Sequence, residues 1–133
     1  MVCLDTSFVI DFFRGKESAV QRMKEFANSS EAITISAPTI MELATGAGLA
    51  DSQSERQQIN TFLSSVMTLP LNAKSALLAG ELNAKLILGG ETIEPLNIQI
   101  GAIAVICRER LLTANPKHFS RIPGLVVEDY IAK

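Results

Sequence analysis

The chain has 133 residues, 47% of them apolar, with a formal net charge of −2 and a single histidine. A chain of this size buries roughly two-thirds of the surface it exposes when unfolded, so it supports a core without metal or disulfide staples, and its apolar content excludes a disordered protein. No general basic character marks a nucleic-acid coat protein, although bound cations can supply positive charge locally to an enzyme that acts on nucleic acid.

From the N-terminus, "VCLD" reads as a short buried strand ending in Asp5. "TSFVIDFFRG" places Phe8 and Phe12 at helical spacing, with Gly15 as a stop. "KESAVQRMKEFANSS" is amphipathic, with Val20, Met23 and Phe26 on one stripe. "AITIS" is β-branched between turn formers and reads as a second strand. "PTIMELATGAG" opens on Pro38, which suits a helix start, and is expected to close on Gly46 and Gly48. Residues 51–54 read as a loop, "ERQQINTFLSSVM" as a helix, and "TLPL" as a short strand or extended connector. "NAKSALLAGELNAKLILGG" reads as a strong helix, with Asn72 as its cap and Gly89 and Gly90 as its stop. "PLNIQIGAIAVICRER" is a largely apolar helix with Asn97 at its start. "LLTA" is a brief strand, "NPKHFSRIPG" an irregular loop, and "LVVED" a last strand.

Strands alternate with helices throughout, the pattern of a parallel α/β sheet covered by helices on both faces. Without a repeat, linker or low-complexity segment, one domain spanning 1–133 is expected. Cys3 and Cys107 both lie in apolar runs and read as buried thiols in a reducing compartment. The first residues enter a strand at once and carry Asp5 and Asp11, with no signal-peptide pattern, and no apolar run is long enough to span a membrane. The expected location is the cytosol.

In open α/β sheets, ligands bind beyond the carboxyl ends of the strands. Asp5 lies there, with Thr6 and Ser7 beside it; taken alone, it reads first as a cap for the following helix. Glu42 sits inside an apolar helix between Ile40 and Leu43. A carboxylate there is costly unless it is paired or bound to a cation, the other reading being a solvent-facing position. Asn97 starts a further apolar helix, and Asn115 and His118 follow "LLT". Two acids and two amides near strand ends and first helical turns could converge on one cleft. Hard oxygen donors of this kind suit magnesium or manganese rather than zinc. Gly46 and Gly48 are followed by Leu49 and Ala50, so they form no phosphate loop, and no nucleophile elbow is present.

Four stretches in order, "LDTSFVIDFFRG", "ISAPTIMEL", "LNIQIGAIAV" and "LLTANPKHFSRIPGL", span nearly the whole chain. On these the sequence resembles the PIN-domain family, and most closely its VapC-type ribonuclease toxins of toxin–antitoxin pairs. The resemblance implies a three-layer α/β/α sandwich with a parallel sheet of four to five short strands. It implies an acidic pocket for one or two divalent ions, Mg2+ or Mn2+, and hydrolysis of RNA to 5′-phosphate and 3′-hydroxyl ends. Asp5 matches the first family acid and Glu42 the second, with Thr6 or Ser7 as the supporting hydroxyl. Asn97 falls where the family usually has a third Asp, Asn115 where members carry an acid or Asn, and His118 where Asp or His is frequent. The implied partners are RNA as substrate, a small antitoxin whose tail offers Arg or Lys to the pocket, and a second copy of the chain. Helices at 55–67 and 72–88 are candidates for the homodimer surface, although core packing explains the same stripes.

Asn97 caps a helix as well as Asp does, but as a ligand it offers a carbonyl oxygen and no charge. A lost carboxylate–cation attraction is worth of order several kcal/mol even at an effective dielectric of about 20, so weaker metal binding and one ion rather than two are expected. Glu91 and Glu94 lie just upstream and could compensate, or form a solvated turn. Arg14 and Lys117 are candidate phosphate contacts. The alternative is a catalytically impaired PIN domain that binds RNA or protein. A receiver-like α/β module is the more distant rival, and the Asp and Lys it requires at strand ends are not found.

Overall fold

The computed structural model describes residues 1–131. In chain order the elements are β1 (Val2–Leu4), α1 (Thr6–Phe13), α2 (Glu17–Ala27), β2 (Ile33–Ser36), α3 (Ala37–Leu49), α4 (Gln53–Leu63), β3 (Met67–Leu69), α5 (Ala73–Leu88), α6 (Pro95–Ile106), β4 (Arg110–Thr113) and β5 (Val127–Asp129), with a 3-10 turn at Pro116–His118. The five strands form one sheet in the order β3-β2-β1-β4-β5, and every neighbouring pair is parallel. This is the expected three-layer architecture. Successive side chains of a strand point to opposite faces. Val2, Leu4, Ile35 and Leu112 enter one core with Phe8, Val9, Phe26, Leu43, Ile59 and Phe62 from α1 to α4. Cys3 and Leu111 enter the other, against Ala79, Leu82, Leu86, Ile98 and Ile103 of α5 and α6.

The chain runs outward from β1 through β2 to β3, then crosses to β4 on the far side of β1. The gap between β1 and β4 is therefore the switch point at which such sheets bind ligands. Both strands end there in hydroxyl- or carboxylate-bearing residues, Asp5 after β1 and Thr113 closing β4.

Three helix ends follow the sequence closely. Asn72 and Ser75 form a reciprocal capping box at the start of α5, each backbone N–H bonding the other's side chain at 3.0 Å. Gly15 and Gly90 have φ of +74° and +70°, the left-handed turn that glycine adopts without a Cβ penalty.

The bounds of three helices differ. α3 continues through Gly46 and Gly48 to Leu49, because buried Leu43 and Ala47 keep its inner face packed, and the turn falls instead at Asp51 with φ 46°. α4 begins at Gln53, with Ser52 accepting from Glu55 N at 3.1 Å, and stops at Leu63. There the Ser64 and Ser65 hydroxyls turn back onto the carbonyls of Thr61 and Phe62, competing with helix continuation. α6 is capped by Glu94, so Asn97 is the third residue inside the helix and not its cap. Pro95, which lacks an N–H and suits the first helical position, sets that register.

Cys3 is a buried free thiol, as expected, whereas Cys107, also free, is only half-buried; burial pushes the Cys3 thiol up to about 12. No helix among the described residues is long and apolar enough to cross a membrane.

Candidate active site

Asp5 is held by the chain immediately around it and by the neighbouring strand. Its backbone N–H donates to the Leu112 carbonyl at 2.9 Å, which extends β1 pairing by one step. Its side chain is 4% exposed, and Oδ2 accepts from Ser7 Oγ at 2.8 Å and from Thr113 Oγ1 at 2.7 Å. Ser7 Oγ in turn accepts from Ala114 N at 3.1 Å, and Thr113 Oγ1 accepts from Asn115 N at 3.0 Å. The loop after β4 is thus fastened to the first turn of α1 through the carboxylate. Asp5 occupies the N-cap position of α1 but makes no side-chain capping bond; its oxygens are turned to the hydroxyls instead.

Glu42 lies on α3, which packs against α1. Thr6 Oγ1 donates to Glu42 Oε1 at 2.6 Å and sits 3.1 Å from Thr39 Oγ1, which receives from Ser36 Oγ at 3.2 Å. Burial, first of all, and the nearby charges of Asp5 and Glu94 hold the Glu42 carboxyl above the usual carboxylate range, while the Thr6 hydrogen bond pulls the other way. Oδ1 of Asp5 and Oε2 of Glu42 take no hydrogen bond among the described residues, so each acid keeps one oxygen for a ligand.

The structure therefore brings Asp5, Thr6, Ser7 and Glu42 into one cluster. Asn115 joins it through its backbone bond to Thr113, with its side chain exposed. Asn97 is half-buried on the first turn of α6, which packs against α3 and β2, and its amide makes no hydrogen bond among the described residues. His118 is exposed in the 3-10 turn, next to fully buried Phe119. Among the described residues, no group of three or more His, Cys, Asp or Glu side chains is placed to hold a metal ion. Asp5 and Glu42 are two, and Asn97 adds no third charge.

Beside Glu42 opens a cavity of about 270 Å3, lined by Ile10, Phe13, Arg14, Leu43, Gly46, Ala47 and Ile59 among others. Arg14 thereby stands in the same cavity as Glu42, whereas Lys117 is exposed in the 3-10 turn. Sequence reasoning missed Ser36, Thr39 and Thr113. Thr39 was within reach, since it precedes Glu42 by three residues and so shares its helix face. Thr113 closes the strand that pairs with β1, a neighbour relation that only topology supplies.

A family model described as "PIN domain" matches residues 2–125. The chain belongs to the PIN-domain family. Among similar proteins, "Ribonuclease VapC19" of Mycobacterium tuberculosis is 28% identical over 125 residues, covering 94% of this chain and 97% of that protein. The "tRNA(fMet)-specific endonuclease VapC" of Shigella flexneri is 28% identical over 128 residues, covering 96% of each. Among solved structures, that of VapBC2 from Rickettsia felis bound to a promoter DNA fragment matches with a TM-score of 0.86 at 26% identity, over 96% of this PIN domain and 98% of that chain. The resemblance read from the four sequence stretches is borne out over nearly the full length.

Proposed function

We propose that this PIN domain is a divalent-metal-dependent endoribonuclease, the toxin of a toxin–antitoxin pair. The observation that carries the reading is the meeting of Asp5 and Glu42, distant in the chain, at the carboxyl end of β1, each steadied by hydroxyls and each with one oxygen free. Relatives named as a ribonuclease and a tRNA-specific endonuclease support RNA as the substrate.

The donor set fits a hard cation. Magnesium is commonly held by one or two carboxylates and keeps several waters, which two acids and an amide suffice to provide. Crowding of like charge around half-buried Glu42 points the same way, because a cation relieves it. When bound, such an ion activates a water at neutral pH and offsets charge on the phosphoryl oxygens. Asp5 and Glu42 would hold it, and the Asn97 amide would orient it or its water through a carbonyl oxygen. Ser7 and Thr113 keep Asp5 from rotating, and Thr6 does the same for Glu42; such outer partners typically carry 10–100-fold of a site's metal affinity or activity. With no charge at residue 97, a single ion of lowered affinity is the expected loading.

The cavity beside Glu42 continues the apolar surface of Phe12, Phe13, Met23 and Phe62, which suits an antitoxin tail that sends a cationic side chain to the carboxylates. Homodimerisation is proposed through α5, where Leu77, Ile87 and Leu88 are exposed.

The reading is tested by incubating RNA with the protein in Mn2+ or Mg2+, with a chelator control and Glu42→Gln alongside. Metal-dependent cleavage lost in Glu42→Gln supports it. Manganese binding without turnover would instead leave an RNA- or protein-binding PIN domain.

A further inference from the structure

The first turn of α1 aims both acids of the pocket, with Ser7 Oγ 2.8 Å from Asp5 Oδ2 and Thr6 Oγ1 2.6 Å from Glu42 Oε1. α1 has only eight residues. A polar fastening at one end alone would leave its rotation to apolar packing, which is non-directional. Asp11 supplies a second fastening. It follows Ser7 by four residues, so the two share one helix face with Cβ atoms roughly 5–6 Å apart. Adjacent strands of a sheet lie about 4.8 Å apart, nearly the same step. β5 pairs with β4 in the register Thr113↔Asp129, which sets Tyr130 level with Ala114 just beyond the strand ends. Ala114 N donates to Ser7 Oγ at 3.1 Å, and the Tyr130 hydroxyl donates to Asp11 Oδ2. α1 is thus bolted at successive turns to the ends of two neighbouring strands. Tyr130 is 1% exposed, and its ring meets that of Phe8 edge-on, with centroids 4.7 Å apart and planes at 80°. Asp129 Oδ1 accepts from Ile131 N at 2.9 Å, a local turn that fixes the backbone on both sides of the tyrosine. Exposed Lys16 also brings its Nζ to 3.6 Å from Asp11 Oδ2.

We propose that Tyr130 and Asp11 are positioning residues of the acidic pocket: their hydrogen bond sets the rotation of α1, and with it the aim of the Ser7 and Thr6 hydroxyls at Asp5 and Glu42. This rests on the reading of those two acids as holders of a divalent ion. Neither Tyr130 nor the Asp11 side chain makes a hydrogen bond to Asp5 or Glu42 among the described residues, so both act through the helix. A metal site has to be held within roughly 0.5 Å and 10–20° of its working geometry, so a small rotation of α1 is enough to misplace its oxygens. The clamp joins residues 119 positions apart and makes the chain just past β5 part of the support of a site that begins at β1.

Two measurements on one set of proteins test this. Tyr130→Phe keeps the ring and removes the donor, and Asp11→Ala removes the acceptor. Asp11→Asn keeps an acceptor oxygen without the charge. Ile103→Val, in the core on the other face of the sheet, matches the loss of stability without touching α1. Asp5→Asn reports on the site itself. In chelator, NMR amide exchange at Ala114, whose N–H bonds Ser7, should be faster in Tyr130→Phe and Asp11→Ala than in Ile103→Val. Mn2+ affinity, read by electron paramagnetic resonance well below the melting temperature and without RNA, should fall roughly tenfold in Tyr130→Phe and in Asp11→Ala. It should fall no further when the two are combined, because they remove one interaction. Asp11→Asn and Ile103→Val should bind as the unaltered chain does, and Asp5→Asn should lose the site. Normal binding by Tyr130→Phe and Asp11→Ala, with the site lost in Asp5→Asn, overturns the clamp and leaves the two-acid site standing. Equal weakening by Asp11→Asn and Asp11→Ala also overturns it, since charge alone then explains the effect, and equal weakening by Ile103→Val assigns the effect to stability. Normal binding by Asp5→Asn overturns the reading of the acids, and unchanged Ala114 exchange in Tyr130→Phe overturns the clamp whatever the metal does.

Discussion

Thr6 and Glu42 are joined by a 2.6 Å hydrogen bond, with the hydroxyl donating to Oε1. Because Thr6 follows Asp5 directly, one step of the chain fixes the first acid at the end of β1 and steadies the second on α3. The two carboxylates are coupled through backbone geometry as well as through their charges.

Removing that hydroxyl while keeping the shape, as in Thr6→Val, should raise the Glu42 pKa further, because a hydrogen bond to the charged form is lost. Protons then compete better with the cation. The acidic limb of the pH–rate profile should move to higher pH, and Mn2+ affinity near pH 6 should fall by roughly tenfold. Thr6→Ser should retain the wild-type profile. An unshifted profile in Thr6→Val would show that the bond does not tune the site.

The metal-free protein carries a pH signature of Glu42. Its folded pKa lies above the unfolded value, so its favourable contribution is fully present below the unfolded pKa and is lost as pH rises through the folded one. Glu31 and Glu128 act oppositely: Arg110 beside Glu31, and Arg22 and Arg110 beside Glu128, hold both low, so their contributions are lost as pH falls. The difference between the unaltered chain and Glu42→Gln isolates the first effect. Glu42→Gln should be relatively more stable at pH 7 than at pH 4, measured by thermal melts in chelator, and Mn2+ should close the gap at pH 7.

Thr113→Val removes a donor to Asp5 Oδ2 and the acceptor for Asn115 N. A folding cost of about 1 kcal/mol is expected, with a roughly 10–100-fold loss of metal affinity or cleavage. Denaturant melts and Mn2+ titration on the same samples separate the two effects.

Asn97→Asp restores a carboxylate on the first turn of α6. Mn2+ affinity and RNA cleavage should both rise, by roughly tenfold or more, while metal-free stability should fall slightly through added like charge near Glu42. No gain in either would mean that residue 97 does not face the ion.

Much of this was legible in the chain. Strand–helix alternation yields the layered fold, and the ends of β1 and β2 are marked by Asp5 and Ser36. Asp5 and Glu42 stand out because each is an acid in an apolar setting. What the sequence could not supply is lateral: that β4 lies beside β1, and hence that Thr113 meets Asp5. The start of α6 was misplaced for a related reason. Asn is a strong cap former, but Pro95 commits the helix two residues earlier and leaves Glu94 at the cap. That shift moves Asn97 inside the helix. Gly46 and Gly48 misled through propensity, which packing of Leu43 and Ala47 overrides.

The most direct measurement is an anomalous difference map, at the manganese edge, from crystals grown with Mn2+. A peak between Asp5 Oδ1 and Glu42 Oε2 is the expected result, weaker or absent in Asp5→Asn crystals. A strong site elsewhere, with these two oxygens bound only to solvent, would contradict the proposed chemistry.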